Sequence, residues 1–143
     1  MKPAAMAAVM VVAAVAAVAL LLLWPLMGGA AVQVSGQVYT ISSMKYSYLP
    51  PEGWRMGDPP VIDDRYFKPA RLSIRVGDTV VYVNEDEVPH TFTASDVPMG
   101  ASKFDSGPVN PGGSFRLVFR VPGTYRYFCM LHPHKAGIIE VSP

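Results

Sequence analysis

The sequence predicts an all-β sandwich preceded by one apolar N-terminal helix. Three observations carry that prediction. Residues 4–23 read AAMAAVMVVAAVAAVALLLL without one polar side chain. Beyond residue 36, apolar and polar side chains alternate with a period of two in several short runs. Glycine- and proline-rich turn signals separate those runs.

The apolar run comes first in the chain. About 20 consecutive apolar residues match the length of helix that spans the hydrocarbon core of a bilayer. Trp24, Pro25, Leu26 and Met27 continue it, so residues 4–27 are expected to form a transmembrane anchor. Lys2 lies before the run, and no charge follows it until Lys45. Positive charge stays on the cytoplasmic side, which places residues 1–3 inside and the rest of the chain on the extracytoplasmic face. The rival reading is a secretory signal cleaved near Gly28-Gly29-Ala30, but signal cores run to about 7–15 residues and this one is longer. Residues 28–36 are small and polar and read as a linker.

The remaining segment, 37–143, is one ordinary domain with a single modest core. With Lys2 set aside it carries as many acidic as basic residues, which gives no support for nucleic-acid binding. Strands are expected near 37–44, 71–76, 79–84, 90–94, 114–120, 123–129 and 137–142. In the sixth of these Tyr125, Tyr127 and Cys129 share one side. Short strands of this kind, separated by Gly77-Asp78, Asn110-Pro111-Gly112-Gly113 and Pro122-Gly123, are the pattern of a β-sandwich with about seven to eight strands. Residues 49–64, LPPEGWRMGDPPVIDD, break the alternation and form a long loop. Trp54 in that loop has two readings, a cap on the core or part of a segment that covers a site or docks a partner.

Cys129 is the only cysteine, so an exported chain has no internal disulfide to make. Its thiol is either buried and inert or bound to a metal. His132 follows three residues later, in a turn after a strand. A soft thiolate beside an imidazole suits copper or zinc. A structural zinc site commonly takes four protein ligands, often several cysteines. A third ligand is available upstream in His90, and two histidines with one thiolate in trigonal array make a type 1 (blue) copper site. The predicted metal ligands are therefore His90, Cys129 and His132, with one mononuclear copper cycling between Cu(I) and Cu(II).

The segments GDTVVYVNEDEVPHTFTA, FDSGPVNPGGSFRLVF and PGTYRYFCMLHPHKAGIIEV resemble the plastocyanin and amicyanin branch of the cupredoxins. The resemblance covers roughly 71–143, with Asn84, Thr91, Gly112 and Gly123 also in the pattern. It implies a Greek-key sandwich, one type 1 copper and electron transfer. One position departs from it. In the spacing Cys-x-x-His-x-x-Met, the axial methionine is replaced by Lys135; in the longer register, Ile138 stands there. Lys135 is expected to point to solvent, and His134 to be exposed. The axial place is then empty, or approached by the Pro89 carbonyl, His134, or one of Met44, Met56, Met99 and Met130. Thr91 is a candidate to tie His90 to the Cys129 turn. Pro89, Leu131, Pro133 and Met99 are candidates for an apolar frame around His132.

The function expected is a monomeric, membrane-anchored one-electron carrier that serves redox partner proteins of a membrane electron-transfer chain. The alternative is an extracytoplasmic copper-delivery protein without redox duty. An enzyme is not expected, because an oxidase or reductase needs a further catalytic metal and only His134 is left to bind one.

Overall fold

The computed structural model describes residues 36–143. The expected anchor at 4–27 and nearly all of the 28–36 linker lie outside the described residues.

Eight strands form: β1 (Val38–Ser43), β2 (Phe67–Lys68), β3 (Arg71–Arg75), β4 (Thr79–Asn84), β5 (Thr93–Asp96), β6 (Ser114–Val118), β7 (Gly123–Phe128) and β8 (Ala136–Ser142). They make two four-stranded sheets with orders β2-β1-β4-β6 and β3-β8-β7-β5. Only β1–β2 and β7–β8 are neighbours in both chain and sheet, so the connections pass repeatedly between the sheets. Two pairings, β1 with β4 and β3 with β8, are parallel.

The alternation seen in the sequence is the alternation of burial. In β7, Tyr125 and Tyr127 are buried while Thr124 and Arg126 are exposed, as the pleat requires. Ile41, Val80 and Tyr82 from one sheet meet Ile74, Tyr125, Tyr127, Ile139 and Val141 from the other in one cluster. Phe92 sits at its centre. Its ring stacks on Tyr82 and Phe104, each at 5.1 Å, and tilts against Tyr127 at 4.5 Å. Offset and edge contacts at these spacings suit the aromatic quadrupole. Tyr125 Oη donates to the Val121 carbonyl at 2.8 Å, four residues back, and fixes the entry into β7. Gly137 has a steric reason: a Cβ there would lie 2.2 Å from the Tyr127 ring.

Two sequence expectations change. The strand expected at 90–94 begins only at Thr93, because His90 bridges Val109 separately; β5 then runs on to Asp96 with a bulge between Ala94 and Asp96. The extra strand β2 pairs with the end of β1 through Ser42–Lys68 and Ser43–Phe67. Two residues are too few for any period to show.

Candidate metal centre

Cys129 follows β7 directly. Phe128 pairs with Ala136, so the seven residues between them form the loop of the β7–β8 hairpin. The loop is closed by its own backbone: His132 N–H donates to Cys129 O at 3.3 Å, Lys135 N–H to His132 O at 3.2 Å, and Cys129 N–H to Lys135 O at 3.4 Å. This folds His132 back over Cys129. Cys129 is fully buried, whereas His132 is half-buried and Met130 and Leu131 are exposed.

His90 reaches the same place from the other end of the chain. Asn84, at the end of β4, has no exposed surface. Its amide nitrogen donates to the carbonyls of Val88 at 2.8 Å and Val109 at 2.9 Å, and its oxygen accepts the Asp86 N–H at 2.9 Å. A buried amide satisfied in this way fixes the loop 85–89. His90 then exchanges two backbone hydrogen bonds with Val109.

The ring of His90 is set by Asp86. Asp86 Oδ2 lies 2.7 Å from His90 Nε2 and accepts from Ser47 Oγ at 3.1 Å; Oδ1 accepts the N–H groups of Tyr46 at 2.7 Å and Glu87 at 2.9 Å. Burial pushes the Asp86 carboxyl up, but the hydrogen bonds from His90, Glu87, Tyr46 and Ser47 outweigh it and hold it below its usual value. An ionised carboxylate only accepts. His90 Nε2 therefore carries the proton, and Nδ1 is left with its lone pair.

Three ligand atoms converge. His90 Nδ1 is 3.6 Å from Cys129 Sγ, His132 Nδ1 is 3.7 Å from the same sulfur, and the two nitrogens are 3.0 Å apart. A triangle of these sides has a centre roughly 2.0 Å from each corner, the length of an imidazole–metal bond. No other cluster of this kind occurs among the described residues. Burial, then the charge of Lys135, lowers His90 to about 4 and also lowers His132. Both rings are thus neutral at physiological pH, the state in which an imidazole binds a metal. One soft sulfur and two nitrogens fit copper.

Thr91 joins the two ligand segments, as expected. Its N–H donates to Cys129 Sγ at 3.2 Å, and its Oγ1 accepts the Met130 N–H at 2.8 Å. The first bond would neutralise part of the charge on a metal-bound thiolate.

Other expectations are overturned. Lys135 has no exposed surface. Its Nζ donates to Ser43 Oγ at 3.0 Å and Ser47 Oγ at 2.8 Å, and stands 4.6 Å from the Phe67 ring centre. The cost of burying an ammonium, which argued for solvent, is offset by two hydroxyl acceptors and an aromatic face. Burial lowers its pKa to about 8, so it remains mainly protonated at neutral pH. His134 is buried too, between the edges of Trp54 and Tyr66 at 5.7 and 5.2 Å, with Nε2 donating to the Ser47 carbonyl at 3.0 Å. Trp54 thus belongs to a loop that lies along the ligand turn, where Val61 N–H donates to His134 O at 2.7 Å and Ala136 N–H to Val61 O at 3.1 Å. Met99 is 98% exposed. Its neighbour Pro98 packs on Gly123, at the end of β7 away from Cys129. It neither frames His132 nor serves as an axial donor, and Met56, at 79% exposure, is likewise in solvent.

Sequence reasoning missed Asp86, Ser43 and Ser47. Asp86 carried a weak signal, a carboxylate four residues before a candidate ligand. The two serines carried none, because they are brought to the site by the end of β1 and the turn after it.

The site and the sandwich define a copper-binding protein of the cupredoxin class. A family model, copper-binding proteins of the plastocyanin/azurin family, matches residues 62–141, and the chain belongs to that family. It is 33% identical over 86 residues to a chloroplastic plastocyanin of Physcomitrium patens, covering 53% of this chain and 50% of that one. It is 25% identical to the amicyanin of Paracoccus versutus over 113 residues, 79% of this chain and 71% of that one. Among solved structures, a purple cupredoxin from Nitrosopumilus maritimus superposes with a TM-score of 0.56 and 30% identity, covering 73% of this chain and 99% of that one.

One neighbour corrects the exclusion of enzymes. A copper-containing nitrite reductase from Thermus scotoductus SA-01 aligns with 73% of this chain at 28% identity and a TM-score of 0.51, although the match covers only 28% of that chain. The domain therefore also occurs inside an enzyme. Counting spare histidines within one domain does not separate carriers from enzymes, because the rest of a longer chain supplies what the count lacks.

Proposed function

We propose that this chain is a one-electron carrier whose copper is held by His90 Nδ1, Cys129 Sγ and His132 Nδ1. The observation that carries the reading is the convergence of those three atoms with both imidazoles neutral. Copper supplies a Cu(II)/Cu(I) couple that takes up and releases one electron without bond making at substrate. The chain's part is to keep the ligands still. Asp86 fixes the tautomer and ring plane of His90. The Thr91 N–H steadies the thiolate, and the closed turn 129–135 holds His132. A site that does not rearrange loses little energy to reorganisation.

The partners are redox proteins that dock transiently. Half-buried His132 beside exposed Met130 and Leu131 offers a small apolar contact, and electron-transfer encounters are commonly small. The apolar run at residues 4–27 supports a tether that leaves the copper domain on the extracytoplasmic face. Extraction from membranes by detergent, but not by alkaline carbonate, is the expected behaviour; release by carbonate would rule the tether out.

The decisive test is optical. Addition of Cu(II) to the metal-free chain gives strong visible absorption from the thiolate–Cu(II) bond, and Cys129→Ser abolishes it. A colourless protein that retains Cu(I) and will not oxidise would favour delivery, and a chain that binds no copper would exclude both.

A further inference from the structure

Lys135 occupies the sequence position of the expected axial donor, yet its side chain is committed elsewhere. It is one of the largest wholly buried side chains among the described residues. Its ammonium is the head of a continuous chain of hydrogen bonds. Nζ donates to Ser47 Oγ at 2.8 Å, Ser47 Oγ donates to Asp86 Oδ2 at 3.1 Å, and Asp86 Oδ2 accepts from His90 Nε2, 2.7 Å away. A second arm runs from Nζ to Ser43 Oγ at 3.0 Å and on to Tyr82 Oη at 2.6 Å. Ser47 is presented by a strained backbone: Tyr46 before it has φ of 65°, and the Tyr46 N–H is held by Asp86 Oδ1 at 2.7 Å. A non-glycine residue in this region is uncommon and is kept only where its surroundings determine it. The position is therefore built, and what it builds is a fixed cation one hydroxyl away from the carboxylate that orients His90.

We propose that Lys135 is a positioning residue that raises the reduction potential of the copper centre, through its buried charge and through the Ser47–Asp86–His90 relay. The proposal rests on the copper-carrier reading above. Two effects act in one direction. A fixed positive charge disfavours the divalent ion more than the monovalent ion, and burial leaves that charge poorly screened. The ammonium also polarises Ser47 toward Asp86, which draws negative charge away from the Asp86–His90 bond and makes His90 Nδ1 a weaker donor. The step affected is Cu(II) plus one electron giving Cu(I), with the electron supplied by one partner protein and passed to another. No proton or bond to substrate is involved.

The test uses Lys135→Leu, which removes the charge and adds no metal ligand, and Ser47→Ala, which breaks the relay but keeps the charge. Redox titration of copper-loaded Lys135→Leu should show a fall in potential equivalent to a roughly tenfold change in the Cu(II)/Cu(I) affinity ratio, about 59 mV for one electron. The metal-free variant should also bind Zn(II) more tightly than the wild type, because the same charge opposes any divalent ion. Ser47→Ala should lower the potential by a smaller amount. An unchanged or raised potential in Lys135→Leu overturns the proposal. So does a fall without a gain in Zn(II) affinity, since altered ligand geometry would then be the cause. Should Lys135→Leu not fold, Ser47→Ala decides, and an unchanged potential there overturns the proposal. Absence of the visible band in the wild type would instead defeat the carrier reading itself.

Discussion

Thr91 and Cys129, 38 residues apart in sequence, are bonded twice over: the Thr91 N–H reaches the cysteine sulfur at 3.2 Å, and Thr91 Oγ1 takes the N–H of the next residue, Met130, at 2.8 Å. Thr93 Oγ1 lies 2.9 Å from the same hydroxyl and 3.1 Å from Asp105 Oδ1. The candidate ligands therefore belong to a framework that exists without a metal. Replacing Thr91 by Val keeps the shape and removes the acceptor. A stranded N–H costs about 1–3 kcal/mol, and the urea midpoint of the metal-free domain should fall accordingly.

Asp86→Ala is expected to weaken both the fold and metal binding, because Asp86 is buried and each stranded donor costs about 1–3 kcal/mol. It leaves four donors without their acceptor: Tyr46 N–H, Glu87 N–H, Ser47 Oγ and His90 Nε2. The His90 ring is then free to turn and to change tautomer. Loss of a partner that orients a ligand lowers metal affinity by about 10–100-fold. Competition against a chelator of known affinity measures this; equal affinity in the variant would show that burial alone orients His90.

The metal-free domain should weaken in acid. His90 has a folded pKa of about 4, and His132 and His134 are also lowered, in each case with burial as the largest cause. An unfolded histidine titrates near 6.5. Below that pH the unfolded chain binds protons that the folded chain refuses, so stability is complete above about 6.5 and is lost as pH falls toward 4. Urea midpoints measured on the metal-free chain between pH 7.5 and 4.5 should decline steadily, and a flat profile would contradict the buried, neutral imidazoles.

Gly137→Ala tests the packing behind the ligand loop. The added methyl would meet the Tyr127 ring at 2.2 Å, and Tyr127 has no exposed surface along which to retreat. Overpacking of this kind costs about 1–3 kcal/mol. Thermal unfolding followed by circular dichroism should report the loss, with the copper absorption shifted as the hairpin moves.

The parts of this molecule that could be read from its sequence are those written in local patterns. Alternation located strands such as β7, which is buried on one face only, whereas β8 is buried on both faces over its first four residues and was marked by its apolar run instead. The Cys129–His132 spacing pointed to two of the three candidate ligands. The remainder depended on partners distant in the chain. Lys135 was assigned to solvent because its acceptors, Ser43 and Ser47, lie 92 and 88 residues away. His134 was assigned there too, since the residues that cover it, Trp54 and Tyr66, come from another loop and from the start of β2's segment. Strand β2 was invisible because two residues carry no period. The enzyme exclusion failed for a related reason: it judged a module as though it were always the whole molecule.

The central place of β8 has a consequence for the ligand loop. β8 lies between β3 and β7, and it follows the hairpin loop that carries Cys129 and His132. A strand held on both sides cannot detach without opening its pairings with β3 and β7 together, so the loop that leads into it is anchored at the middle of a sheet rather than at a rim.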